Sequence, residues 1–400
     1  MTHRLYYDDP TSVEFDATVV RAEPRGVRQA IWLDRTGFYP TSGGQPFDTG
    51  SLGPHPVVEV AEEEDGAVVH IVEPAGGGVL RVQDRVHGIV DWPRRFDHMQ
   101  QHTGQHLLSA AFERLFRNRT VGFHLGGEAS TIDLAREMTP AEIQAAGDEA
   151  NRIVWEDRAV AIRYASAEEA SAMPLRKEPV RGGTLRLIEV EGFDLSACGG
   201  THVGRTGAVG VIVVAGWERF KGGQRLEFLC GGRALMKFRL LRDATALSVR
   251  RLSVLPGDLP AAIERLQTEL KEQRRSLNVL NGEVGRYRAR ELAAAAESHP
   301  CGKLVLKAME ADAGSLREMA MAITSLPGFL AVLVSNSRPA LIVASRSADV
   351  GVPCDAIVTR LAQRFGGRGG GAAGLAQGGG LHASPEEILA AVRELLLALP

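Results

Sequence analysis

Between residues 14 and 90 the chain alternates apolar and polar positions in short runs, at 14–20, 28–33, 56–60, 67–72 and 85–90. Gly, Pro and Asp punctuate these runs and no helical period is sustained, so they predict the strands of a small closed β-barrel. At residue 93 the period changes. Phe96, Met99, Leu107, Leu108, Ala111, Phe112 and Leu115 recur at helical spacing and predict a helix to about residue 117. A strand at 130–133, a helix from the Thr139 cap to about 156, and strands at 184–190 and 207–215 complete a two-layer α+β pattern. A heptad follows, with Ile263, Leu270, Leu277 and Val284 at one core position and Leu266, Gln273, Leu280 and Tyr287 at the other. After residue 298 strands at 303–306, 330–334 and 340–344 mix with helices at 316–325, 354–365 and 385–397. Residues 366–380, GGRGGGAAGLAQGGG, are nine-fifteenths glycine and read as a loop. The expected fold class is therefore α+β: a β-barrel over 1–91, an α+β domain over 92–252, a helical coiled-coil rod over 258–296, and an α/β domain over 298–400.

Two clusters carry chemistry. In DHMQQHTGQHLL, His102 and His106 stand four apart on the predicted helix and leave one face together, as two ligands of one ion do. With 11 His in 400 residues, about 0.3 such pairs arise by chance, and His98 repeats the spacing, so spacing alone does not choose the pair. In SACGGTHVG, Cys198 and His202 bracket Gly199, Gly200 and Thr201, and the paired glycines favour a tight loop over a helix. A thiolate with three imidazoles is a soft, tetrahedral set suited to Zn2+.

Composition narrows the setting. Four cysteines, 198, 230, 301 and 354, give no disulfide framework, and no apolar run approaches the length of a bilayer span. Met1 to Asp9 lacks a signal-peptide pattern, so a cytoplasmic protein is expected. A net charge of -3 argues against coating nucleic acid by bulk charge. Local basic groups at Arg114, Arg117 and Arg119, at Arg219, Lys221 and Arg225, and at Lys237, Arg239 and Arg242 keep RNA in view.

HTGQH with CGGTH about ninety residues later resembles the paired zinc motifs of the editing domain shared by alanyl-tRNA synthetase, threonyl-tRNA synthetase and the AlaX editing proteins. LDRTGFYPTSGGQPFDTG, residues 33–50, resembles the glycine motif of the β-domain before that site, and RLEFLCGGRAL, residues 225–235, the strand that closes it. The rod and the glycine-rich segment are similar to the C-terminal, DHHA1-like domain of alanyl-tRNA synthetase. That domain type also accompanies Asp-His-His phosphoesterases, but Asp97-His98 is followed here by Met99. The resemblance implies hydrolysis of the ester in tRNA(Ala) mischarged with serine or glycine, with His102, His106, Cys198 and His202 as zinc ligands. It implies no charging of tRNA, since the chain starts at the β-domain, and a homodimer through the C-terminal region. Thr103 is a candidate for the serine hydroxyl, against a helix Thr bonding its own backbone. His124 is a candidate for the pocket, against a solvent position. Ser42, Gly43 and Gly44 are candidate backbone donors to substrate or RNA end, against a plain tight turn. The rival class is a zinc-stabilised, non-catalytic tRNA-binding dimer module.

Overall fold

The computed structural model describes residues 2–75, 78–176 and 183–397, and the chain divides into two compact units, Met1–Leu247 and Ser248–Pro400. In the first, strands Glu14–Arg25, Arg28–Leu33, Val68–Val72, His55–Glu62, Gly50–Leu52 and Arg85–Val90 pair in that order and close into a barrel. The strand Gly50–Leu52, inside the glycine motif, has no run of its own in the sequence pattern. It supplies the last pairings, to His55–Glu62 and Arg85–Val90, that remove the sheet's edges. Alternation along Glu14–Arg25 turns Phe15, Ala17 and Val19 inward onto Ile31, Leu33, Phe38 and Val60. Gly88 is required there, because a Cβ would lie 2.4 Å from the Phe15 ring.

Helix α1, Trp92–Phe116, starts at the Asp91 cap with Pro93 in its first turn and stops at Arg117, whose φ is 52°. It is not a surface helix: from His98 to Phe112 every side chain is buried. Arg95, fully buried, fastens it to the barrel through an ion pair with Asp48 and hydrogen bonds to the carbonyls of Pro10 (2.8 Å) and Gly37 (2.5 Å). Helix α2, Pro140–Trp155, opens with the expected Thr139 cap as a reciprocal box with Glu142. Both helices pack in one core with the antiparallel sheet Ile212–Phe220, Gly223–Cys230, Ser130–Leu134, Thr120–Leu125. A second sheet joins Val160–Ala165, Leu185–Val190 and Asp194–Ala197, with the short α3, Ala167–Ser171, beside it. The strand expected at 207–215 begins only at Ile212, because Thr206–Val209 is a 3-10 turn that ends at Gly210 with φ 81°. Helix α4, Gly231–Leu252, leaves this unit.

In the second unit α5, Leu259–Ala294, is one continuous helix. Its heptad residues Ile263, Leu266, Leu270, Leu277, Leu280, Val284 and Tyr287 are exposed. A six-stranded sheet, ordered Glu297–His299, Gly302–Met309, Phe329–Ser335, Ala340–Arg346, Leu375–Leu381, Arg368–Ala372, shares one core with α6, Ala313–Thr324, and another with α7, Cys354–Phe365, and α8, Pro385–Leu397. The glycine-rich segment is therefore a hairpin and not a loop between helices. Its glycines let the backbone press on α7: a Cβ on Gly369 or Gly378 would stand 2.4 or 3.0 Å from Val358 Cγ1. Among the described residues no helix is long and apolar enough to cross a membrane.

Candidate metal centre

Helix α1 brings in His102 and His106, and the strand Asp194–Ala197 runs into the loop that carries Cys198 and His202. One ligand atom from each of the four lies within 4.8 Å of those of the other three. Cys198 Sγ is 3.4 Å from His102 Nε2 and 3.3 Å from His202 Nε2. His98 is outside this group; burial, with Arg94 nearby, lowers its pKa to about 4. The geometry thus chooses between the two His pairs that spacing left open.

Each imidazole is held from behind at Nδ1, which leaves Nε2 as its donor atom. Gln45 Oε1 accepts from His102 at 2.8 Å, Asp194 Oδ2 accepts from His106 at 3.0 Å, and Thr103 Oγ1 stands 3.1 Å from His202 Nδ1. Gln45 also accepts from Thr201 N–H at 3.1 Å and donates to the Thr201 hydroxyl at 2.9 Å, so it ties the barrel motif to both halves of the cluster. Asp194 is fixed by Arg176, at 2.6 Å from Nε and 3.2 Å from Nη2, and by the Ser196 hydroxyl. Arg186 donates to the carbonyls of Cys198 (2.8 Å) and Gly200 (2.9 Å) and sets the loop between the ligands. Gly200 leaves room for His102: a Cβ there would lie 2.1 Å from Cε1 of its ring.

The electrostatics suit a cation. Burial pushes the Cys198 thiol up, yet the His102 and His202 rings outweigh it and hold it well below the ordinary thiol range. Burial, with His102 close by, lowers His202 to about 3, so it is a neutral donor. Burial disfavours a charged His106, but the hydrogen bond to Asp194, with Cys198, raises it. Burial likewise opposes ionisation of Asp194, and His106 and Arg176 nevertheless keep it well below the carboxylate range. A thiolate and three imidazoles, each oriented by a second group, fit a tetrahedral zinc ion.

A cavity of about 180 Å³ opens over the cluster, with Gly43, His106, Phe123, Arg176, Ser196 and Cys198 in its lining. Gly43 and Gly44 form a tight reversal between Ser42 and Gln45, with φ of 54° and 85° and Ser42–Gln45 hydrogen bonds of 2.9 and 3.2 Å. Gly43 reaches the cavity wall, Gly44 lies against Phe123, where a Cβ would be 2.8 Å from the ring, and Ser42 lines a separate hollow. Thr103 is fully buried and its hydroxyl accepts from Val203 N–H at 3.2 Å besides meeting His202. The structure does not bring His124 to the cluster: on the strand Thr120–Leu125 its neighbour Phe123 approaches His102, at 5.7 Å between ring centroids, and His124 is exposed. Gln45, Asp194, Arg176 and Phe123 were missed from the sequence. Gln45 and Asp194 lie within or beside the quoted motifs, but supporting partners have no fixed spacing from the ligands they orient.

Known proteins bear on this geometry. The family described as "Threonyl and Alanyl tRNA synthetase second additional domain" matches residues 185–227, and "tRNA synthetases class II (A)" matches residues 5–94. The alanyl-tRNA editing protein AlaX-L of Pyrococcus horikoshii is 31% identical over 99% of this chain and 98% of its own. Alanine–tRNA ligase of Pyrococcus abyssi is 33% identical over 94% of this chain and 42% of its own, and that of Pyrococcus furiosus 32% identical over 80% and 36%. The chain thus spans about two fifths of the length of the ligases it matches. The solved C-Ala domain of Aquifex aeolicus alanyl-tRNA synthetase aligns with 26% of this chain and 99% of its own, at 21% identity and a TM-score of 0.23.

Proposed function

Since the chain belongs to the family of alanyl-tRNA editing proteins, we propose that it is a zinc-dependent hydrolase of the aminoacyl ester in tRNA(Ala) mischarged with serine or glycine, working in the cytoplasm. The observation that carries this reading is the cluster of His102, His106, Cys198 and His202, its imidazoles oriented from behind, with His106 and Cys198 lining a cavity of about 180 Å³. An aminoacyl ester is already activated, so a site that orients water and the carbonyl has most of the work done. Zinc, when bound, would organise the pocket, and would polarise a water or carbonyl only by expanding its coordination or exchanging one of its four protein ligands. The chain's own residues do the positioning. Thr103, Gln45 and Asp194 fix the three imidazoles, Gly43 brings main chain to the cavity wall without a side chain in the way, and Phe123 closes one side. Thr103 thus acts through His202 and not on the substrate hydroxyl. The rod at 258–296 and the domain at 298–400 serve tRNA affinity and pairing of two chains, since the heptad stripe of α5 is exposed.

One observation favours the rival reading: four protein ligands already complete a tetrahedron, as in closed structural zinc sites. A non-catalytic tRNA-binding dimer would have this centre too. Incubating Ser-tRNA(Ala) and Ala-tRNA(Ala) with the protein, with and without chelator, separates the two. A deacylase releases serine only when metal-loaded, and a binding module retards both tRNAs and releases neither amino acid.

A further inference from the structure

Arg176 has two sides. Its Nε and Nη2 grip Asp194, while Nη1 takes no part in that pair, and the side chain lines both the cavity over the metal ligands and a second groove of about 480 Å³. The groove is walled by Pro174, Leu175 and Phe193, with Arg114 at its side. Arg114 is exposed; its Nη1 donates to the Gly192 carbonyl at 3.2 Å, and its guanidinium lies 4.8 Å from the centroid of the Phe193 ring. A guanidinium held over an aromatic ring can offer its N–H edge to an anion and a planar face to a base. Three carboxylates also line the groove: Asp194, paired with Arg176, Glu189, paired with Arg163 at 2.5 Å, and Glu113.

The other flank is more strongly acidic. Past Ser42, the neighbour of Gly43, lies a hollow lined by Glu62, Glu63, Glu64, Asp65 and Asp8, against Arg4. A polyanion leaving the cavity over the cluster is repelled more strongly on that flank than on the Arg176 flank, where Arg114 and the Nη1 edge of Arg176 stand among fewer carboxylates. We propose that the groove beside Arg176 is the subsite for the nucleotide that precedes the esterified one. Its phosphodiester lies between Arg176 Nη1 and Arg114, and its base packs on the Leu175 wall and the Arg114 face. The groove, of about 480 Å³, has room for one base and sugar, and Arg176 lines both it and the cavity over the cluster. This inference rests on the deacylase reading, because it takes the esterified end to sit over the metal ligands.

The test uses stable amide-linked seryl analogues, one on a single nucleoside and one on a dinucleotide with one phosphodiester, titrated into the zinc-loaded full chain. The dinucleotide should bind about tenfold or more tighter, as one charge-assisted contact gives. Arg114→Ala should erase most of that gain, and Arg114→Lys, which keeps the charge but not the flat face, should restore part of it. Equal affinities for the two analogues, or a gain that survives Arg114→Ala, would overturn the subsite. A gain that behaves as expected in a protein that leaves the corresponding seryl esters intact would uphold the subsite and remove the deacylase reading instead.

Discussion

Several single residues are under enough constraint to test alone. At Gly200 a Cβ would stand 2.1 Å from His102 Cε1 and 2.3 Å from Nδ1, so Gly200→Ala must displace a ligand. Zinc affinity, measured by competition with a chelating dye, should fall about tenfold or more, as loss of ligand orientation does elsewhere. Thr103→Val removes the hydroxyl behind His202 and should lower zinc affinity in the same assay while leaving the ratio of serine to alanine release unchanged. A collapsed ratio with normal metal binding would put Thr103 back on the substrate. His70 tests the barrel core. It is fully buried, between the Thr36 hydroxyl at 2.8 Å and the Ile31 carbonyl at 3.0 Å, and burial lowers its pKa from 6.5 to about 4. The sign follows from linkage. Unfolded His70 binds a proton that the folded form refuses, so stability is complete above pH 6.5 and falls as pH drops from 6.5 toward 4, by about 3 kcal/mol in all. His70→Gln should therefore flatten the pH dependence of urea unfolding across that window; the same slope in wild type and variant would contradict it.

At the scale of elements, the candidate metal centre is built from three pieces of chain that no local pattern links. Helix α1 gives one pair of ligands, the loop after Asp194–Ala197 the other, and the turn 42–45 of the barrel grips both through Gln45. Gln45→Ala leaves two buried donors, at His102 and Thr201, without their acceptor and should lower both zinc affinity and the midpoint of thermal unfolding. An unchanged zinc affinity would make the barrel a mere neighbour of the site. The sequence made the cluster legible because candidate metal donors are few residue types at short spacing, His102 with His106 and Cys198 with His202. The strands of the barrel were legible through their alternation. The closing strand Gly50–Leu52 was not, since three residues cannot display a period. Nor was the hairpin at Arg368–Ala372 and Leu375–Leu381, because glycine carries no hydropathy signal and its close approach to Val358 exists only after folding. The partners behind the ligands were hidden for the same reason: Arg176 and Asp194 meet across 18 residues, and Gln45 and Thr201 across 156.

For the whole molecule, the proposed chemistry and the proposed anchoring fall on different stretches of the chain. All four candidate ligands and the core around α1 come from residues before 231, within the unit that ends at Leu247. The exposed heptad stripe lies on α5, a helix of 36 residues, which spans about 54 Å at 1.5 Å per residue. A chain ending near Arg251 should still bind zinc and hydrolyse a short seryl-ester RNA end, but lose affinity for whole tRNA and sediment as a smaller particle. An unchanged mass would remove pairing through the rod, and an unchanged KM for whole tRNA would remove its anchoring role. Whether the four-residue centre belongs to a deacylase for mischarged tRNA(Ala) is decided by one measurement: release of serine from Ser-tRNA(Ala) by the zinc-loaded protein, by the chelated protein, and by the chelated protein with zinc restored. A zinc-dependent deacylase gives fast release, none, and recovery, with Ala-tRNA(Ala) left largely intact throughout. Ser-tRNA(Ala) that stays charged in the presence of fully zinc-loaded protein would contradict it.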